Sequence, residues 1–324
     1  EGPAPATQFL RDSSRSLITF NDSPDVGFDA SINPYRGCEH GCAYCYARPT
    51  HEYLGLSAGL DFETRILVKE DAPALLRREL ASQRWQPRVL ALSGVTDAYQ
   101  PIERKLGVTR SALEVFRDFH NPVGIVTKNH LVTRDMDLLG ELASDGAAAV
   151  VLSVTTLDRH LQRALEPRAS TPERRLEAIR MLAGAGIPVG VNIAPVIPGL
   201  TDSEVPTIVQ AAADAGASFA SMIVLRLPHG VKELFEAWLR ERFPDRADRV
   251  LNRIRALRGG RLNDPRFGSR GRGEGPFADH LQQLFRVSRR RFGLDRAPPQ
   301  LSAQAFRVPA KWQKRADENQ LEMF

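Results

Sequence analysis

Cysteine is almost missing from this 324-residue chain: there are three, and all lie between Cys38 and Cys45. A sparse, odd count cannot build the disulfide framework of a small secreted protein, so a reducing, cytoplasmic setting is expected. Nor does any apolar run approach the roughly 18 residues that a membrane-spanning helix needs. The first residues, Glu1 to Ala6, show neither a charged n-region nor an apolar h-region, so no secretory leader is expected. Intrinsic disorder is excluded as well: 42% of the residues are hydrophobic and 26% charged, enough for a substantial core.

Lysine is the other scarcity. Only six of the 44 basic residues are lysine, and the arginines are unevenly placed. From Arg240 to Arg296 there are sixteen arginines, no lysine and seven acids, a local charge of +9. Against a chain total of +5, the remainder carries −4. Arginine-rich helices often just present a solvated face, but a concentrated basic segment on a mildly acidic body also suits nucleic acid.

Short apolar runs alternate with amphipathic stretches. Strands are expected at Asp29–Asn33, Val89–Leu92, Val123–Thr127, Ala148–Val154, Val189–Ala194 and Ser221–Leu225. Helices are expected at Ala72–Ser82, Arg110–Phe119, Arg134–Ser144, Pro172–Ala185 and Asp202–Ala215. Thr171 followed by Pro172 reads as a cap with proline in the first turn, and Gly186 as the terminator of the same helix. Six such units imply a parallel α/β sheet, a barrel or a doubly wound sheet, between which periodicity does not choose. Four regions follow: an arm over 1–24, the α/β body over 25–230, an arginine-rich, mainly helical region over 231–297, and a mobile tail over 298–324 that opens with Pro298-Pro299.

The cysteines form Cys38-x3-Cys42-x2-Cys45 directly after the first expected strand, with Gly37 and Gly41 able to turn the backbone tightly. Iron–sulfur clusters usually take four thiolates. With three, one iron of a 4Fe–4S cluster would be open to an exogenous ligand. The alternative is a zinc ion held by the three thiolates with His40 or His51, in a zinc-stabilised DNA-binding or adaptor protein. Structural zinc usually pairs two knuckles, and no second knuckle exists here.

The spacing, with Tyr44 at the aromatic position before the last cysteine, resembles the signature of the radical S-adenosylmethionine (radical SAM) superfamily. The flanking stretches resemble the branch related to spore photoproduct lyase: Gly94-Val-Thr-Asp-Ala-Tyr-Gln-Pro-Ile-Glu103, Thr127-Lys-Asn129, Leu152-Ser-Val-Thr155, Leu165-Glu-Pro-Arg168, Ala194-Pro-Val-Ile-Pro-Gly199 and Arg226-Leu-Pro228. That resemblance implies a partial (βα)6 barrel of the TIM type. It also implies a 4Fe–4S cluster on Cys38, Cys42 and Cys45, and S-adenosylmethionine chelating the fourth iron. Reductive cleavage of that cofactor gives a 5′-deoxyadenosyl radical. Tyr44 would lie against the adenine, Thr96 and Asp97 would accept from the ammonium group, Lys128 would pair with the carboxylate, and Ser153 would meet a ribose hydroxyl. Asn192 and Arg168 would make further polar contacts. Apart from the resemblance, Tyr46 and Tyr99 are by position the residues that could relay a radical quenched on the protein. An electron donor such as flavodoxin or ferredoxin is implied too.

The same three cysteines leave none for a second cluster, a methyl-carrying thiol or a thiol hydrogen donor of the kind spore photoproduct lyase uses. The last residues, Gln320, Leu321, Glu322, Met323 and Phe324, resemble a bacterial sliding-clamp peptide with three apolar anchors. Together these features point to DNA repair or modification, with radical modification of RNA or of a small molecule as the enzymatic alternatives.

Overall fold

The computed structural model describes residues 6–313. Ten strands are present: β1 (Gln8–Arg11), β2 (Ile18–Phe20), β3 (Ala30–Ile32), β4 (Tyr35–Arg36), β5 (Arg65–Val68), β6 (Leu90–Leu92), β7 (Val123–Thr127), β8 (Ala148–Ser153), β9 (Val189–Val196) and β10 (Phe219–Val224). The α-helices are α1 (Asp61–Thr64), α2 (Ala72–Leu80), α3 (Glu103–Leu106), α4 (Val108–Phe119), α5 (Met136–Ser144), α6 (Arg159–Leu165), α7 (Pro172–Gly184), α8 (Val205–Asp214), α9 (Val231–Arg242), α10 (Pro244–Ala256) and α11 (Pro276–Arg291).

Strand order decides the architecture. The main sheet runs β10-β9-β8-β7-β6-β3-β2, in which β3 and β6 to β10 are parallel and β2 lies antiparallel on β3. The six parallel strands follow one another in chain order, with no reversal of the kind that marks a doubly wound sheet. This is the order of a partial (βα)6 barrel, open between β10 and β2. Buried valine, leucine and isoleucine dominate its strands, as expected where helices cover a parallel sheet. Each expected strand is present within two residues at either end, including the last, whose pairing begins at Phe219 rather than Ser221.

Local signals explain most helix ends. Thr171 holds the cap position of α7 in an extended conformation, though its side chain makes no capping hydrogen bond; Pro172 is in the first turn and Gly186 just beyond the end at φ +73°. The helix expected from Asp202 starts as a 3-10 turn over Asp202–Glu204 before α8, which has Pro206 in its first turn. A second, three-stranded sheet, β1-β5-β4, was not expected. It exists because residues 8–11, within the arm, pair in parallel with β5.

The arginine-rich helices have apolar stripes, and those stripes bind them to the barrel. Val231, Phe235 and Leu239 of α9 and Val250, Leu251 and Ile254 of α10 share a core with Ile197, Leu200 and Leu225. Leu281 and Phe285 of α11 join the main core, and α11 packs on α8. The run after Pro298-Pro299, expected to be mobile, is docked as far as Trp312 because it carries apolar residues at the right places. Phe306, Val308 and Trp312 pack on the main core. Its backbone bonds Ser302 N to Gly146 O and Arg307 N to Phe119 O, both at 3.0 Å. The proposed clamp peptide, Gln320 to Phe324, lies outside the described residues.

Candidate active site

The cysteine loop leaves β4 and crosses the C-terminal ends of the barrel strands, where barrels of this type carry their chemistry. Cys38 and Cys42 are buried and Cys45 is partly exposed; none is in a disulfide. The loop is held mainly through its backbone. Cys38 N donates to Phe62 O (2.9 Å), Ala43 N to Leu165 O (3.0 Å), and Glu39 N to Gln100 Oε1 (2.9 Å). Gly37 and Gly41 have φ of +82° and +66°. A Cβ on Gly37 would stand 2.8 Å from Phe62 O, and one on Gly41 would meet Glu63 Oε2. Gly37 is therefore required by conformation and by space, and Gly41 by its left-handed conformation, since only the flexible ends of Glu63 and Arg168 crowd it.

Two arginines brace the loop from outside. Arg48 donates to Cys42 O from Nε (3.2 Å) and Nη2 (3.1 Å), and pairs with Glu63 at 3.1 Å. Arg168 donates to Glu39 O and reaches the other Glu63 oxygen at 2.5 Å. Arg168 thus meets Glu63 rather than an acid close to it in sequence.

Inside the mouth sits a buried charge cluster that sequence reasoning missed. Glu166, wholly buried, accepts from Arg175, from Tyr44 and from Thr155 Oγ1 (2.7 Å), with Lys128 Nζ at 3.4 Å. Burial alone would raise the Glu166 carboxyl, but Arg175 and Lys128 hold it well below the usual carboxylate range. Lys128 Nζ also donates to Ala194 O (3.0 Å) and stands 5.7 Å from the centre of the Tyr44 ring. Glu166 belongs to the Leu165-Glu-Pro-Arg168 stretch, and that was the available signal; its partner Arg175 lies on α7, beyond any local motif.

Asp97 ties three segments together. Its Oδ1 accepts from Tyr99 N (2.9 Å) and Thr127 Oγ1 (2.7 Å), its Oδ2 accepts from Lys128 N (2.8 Å), and His40 Nδ1 lies at 3.5 Å. Thr96 Oγ1 donates to Gly37 O at 2.6 Å, on the approach to Cys38. Ser153 is buried at the end of β8, and Asn192 on β9 accepts from Ser221 Oγ at 3.0 Å. Tyr46 is 49% exposed and donates to Gly94 O (2.8 Å), with the Arg226 guanidinium 5.5 Å from its ring centre. Tyr99 is buried in the main core, where its charged neighbours are Asp135, Arg134 and Glu103. Of Tyr46 and Tyr99, only Tyr46 faces solvent.

The thiols fit a metal cluster by their chemistry. Burial, more than any neighbouring charge, raises all three above the usual thiol range, so they need a cation to be held as thiolates. Among the described residues no three His, Cys, Asp or Glu side chains converge on a single ion. His40 Nε2 faces Asn129 Nδ2 at 3.3 Å and its Nδ1 faces Asp97, while His51 Nε2 contacts Arg65 O at 3.0 Å. Burial also lowers the pKa of both imidazoles.

Residues 32–212, more than half of the chain, match the family model described as "Radical SAM superfamily". The chain belongs to the radical SAM superfamily. Members of this superfamily use a 4Fe–4S cluster and S-adenosylmethionine. An uncharacterised protein of Mycobacterium tuberculosis is 36% identical to this radical SAM chain over 224 residues, 68% of this chain and 66% of the relative. One from Methanocaldococcus jannaschii is 33% identical over 173 residues, 53% of this chain and 62% of the relative. The chain therefore spans just under two thirds of the length of these relatives. Spore photoproduct lyase complexed with dinucleoside spore photoproduct shares the fold at a TM-score of 0.62 and 20% identity, over 88% of this chain and 79% of that structure.

Proposed function

We propose that this protein is a radical SAM enzyme that acts on nucleic acid, most plainly in repair or modification of DNA. The observation that carries the enzymatic part is the buried loop of Cys38, Cys42 and Cys45 beside the Lys128–Glu166–Tyr44 cluster. When bound on three thiolates, a 4Fe–4S cluster supplies one-electron cleavage of S-adenosylmethionine. The chain's residues bind and orient that cofactor. Lys128, with one face on Tyr44, is the cation that meets its carboxylate, while Glu166 and Ala194 O hold Lys128 in place. Asp97 and Thr96 offer oxygens for the ammonium group, Ser153 and Asn192 offer polar groups deeper in the mouth, and Arg168 keeps the loop in register through Glu39 O. Tyr46, at the rim, is the relay candidate that faces substrate.

The substrate reading draws on the rim. Phe267 is 58% exposed with the Arg270 guanidinium 4.4 Å from its ring centre, and Tyr46 lies under Arg226. Burial and then the charge of Arg270 lower the Arg226 pKa, so the two aromatic–arginine pairs are neighbours. Exposed aromatic rings backed by guanidinium groups suit base stacking beside phosphate. Several of the sixteen arginines are committed internally: Arg258 to Leu225 O and Ser269 O, Arg253 to Asp202, and Arg240 to Glu236 and Asp248. The exposed side chains of Arg246, Arg261, Arg272, Arg290 and Arg296 have no hydrogen bond or ion pair among the described residues, and they are the phosphate contacts in this reading. The spore photoproduct lyase structure is complexed with dinucleoside spore photoproduct on the same fold, which supports a ligand of the nucleic-acid class.

The test is anaerobic reconstitution with iron and sulfide, followed by turnover with S-adenosylmethionine and with damaged or undamaged DNA, RNA or nucleotides. Mass spectrometry should find 5′-deoxyadenosine together with altered nucleosides only when DNA is present. A colourless protein that never cleaves S-adenosylmethionine would sink the enzymatic reading, and equal turnover on free nucleotides would sink the DNA reading.

A further inference from the structure

The outer side of the cysteine loop is the floor of a groove of about 610 Å³. Gly41 and Ala43, the two neighbours of Cys42, line it together with Arg48, Arg163, Trp238 and Arg242. Lys128, Ser153 and Asn192, which stand in the mouth, do not line it. The groove therefore reaches the backbone on both sides of Cys42 by a route separate from the mouth. One of its walls, Arg48, holds the Cys42 carbonyl directly.

Its charge is unlike that of the surrounding body. Arg48, Arg163 and His160, from the part of the chain outside 240–296 that carries −4, line this groove with Arg242 of the basic segment, and Glu63 is the single acid among the lining residues. Glu63 is itself bracketed by Arg48 at 3.1 Å and Arg168 at 2.5 Å. His160 and Arg163 are exposed, and their side chains have no hydrogen bond or ion pair among the described residues. Two exposed apolar residues line the groove beside them, Leu60 (61%) and Leu234 (38%). Arg242 also pairs with Glu241, at 3.3 Å, so Arg163 is the arginine of the groove left without an ion pair among the described residues. Apolar side chains beside a net excess of basic residues suit an acidic protein face, which gains from both. A phosphate backbone gains nothing from the leucines.

We infer that this groove docks an acidic one-electron carrier protein, whose exposed flavin or iron–sulfur edge meets the cysteine loop from outside while substrate occupies the mouth. The inference rests on the radical SAM reading, which requires one electron for each cleavage. The carrier is oxidised by one electron, the cysteine-bound cofactor is reduced by one, and no atom or bond is exchanged at the groove. Electron-transfer encounters of this kind use small, charge-steered interfaces that form and part quickly.

The test compares the wild-type holoenzyme with an Arg163→Glu/Arg242→Glu variant. Both positions are exposed, and neither belongs to the cofactor or substrate machinery. Calorimetric titration with purified flavodoxin at low salt should show affinity falling by about tenfold or more, because like charges then face each other. Production of 5′-deoxyadenosine driven by reduced flavodoxin should fall in step, while production driven by dithionite stays at the wild-type rate. Unchanged flavodoxin affinity would overturn the inference. So would an equal loss with dithionite, or lost DNA affinity with intact flavodoxin binding. If the wild-type protein makes no 5′-deoxyadenosine with dithionite, the enzymatic reading fails instead, and the titration alone then decides the docking.

Discussion

Replacing Glu166 by glutamine is the most informative single change in the mouth. It keeps the shape of the side chain and removes its charge from a site with no solvent access. Arg175, 1% exposed, would keep its hydrogen bonds to Ser170 O (2.8 Å) and Ser153 O (2.9 Å) but lose its buried counter-charge. Breaking a buried pair from one side costs about 3–5 kcal/mol, because the remaining ion is left unpaired. For a chain of this size each kcal/mol moves the melting temperature by about 2 °C, so Glu166→Gln should melt roughly 6–10 °C below wild type by circular dichroism. The pH dependence adds a second criterion. A carboxyl depressed in the folded state contributes its stability above the ordinary value of 4.5 and loses it as pH falls towards the folded value. The gap between wild type and Glu166→Gln should thus be constant at neutral pH and narrow below about pH 4. Adding Arg175→Met should recover much of the loss, since the orphaned guanidinium goes with it. A variant that melts within about 2 °C of wild type, or a gap that widens in acid, would refute the assignment of this pair as the buried brace of the mouth.

Three further outcomes are expected. Changing any one of Cys38, Cys42 or Cys45 to alanine should abolish S-adenosylmethionine cleavage after reconstitution and lower bound iron; full turnover in any of the three would remove that thiol from the ligand set. Gly37→Ala forces a left-handed residue and a contact of 2.8 Å with Phe62 O, so bound iron should drop with the whole loop displaced; iron content equal to wild type would show that the loop can yield. Phe267→Ala should weaken binding of single-stranded DNA by about 1–3 kcal/mol, read by fluorescence anisotropy, without changing the salt slope that the arginines set. A changed slope with unchanged affinity would reverse those roles.

How far the sequence could be read follows from the range of each signal. The six barrel strands and the cysteine loop are contiguous patterns, and each appears where hydrophobic runs, caps and spacing place it. Residues 8–11 escaped because all four are exposed and polar residues flank a pair of apolar ones; only the partner strand, over fifty residues away, makes them a strand. Glu166 escaped because a glutamate before a proline reads as a turn, and its meaning comes from Arg175, Lys128 and Tyr44, three separate elements. The composition of 240–296 was legible, but its division into docked and unpaired arginines was not. That division depends on which helix faces the barrel buries, and Arg258, almost wholly buried, is the extreme case.

The docked stretch from Ser302 to Trp312 gives the molecule a polarity. It bonds to Gly146 and Phe119, just before β8 and β7 begin, at the opposite end of the barrel from the strand ends that carry the cysteine loop. The last described residues thus lie at the base of the barrel, with its reactive end at the other.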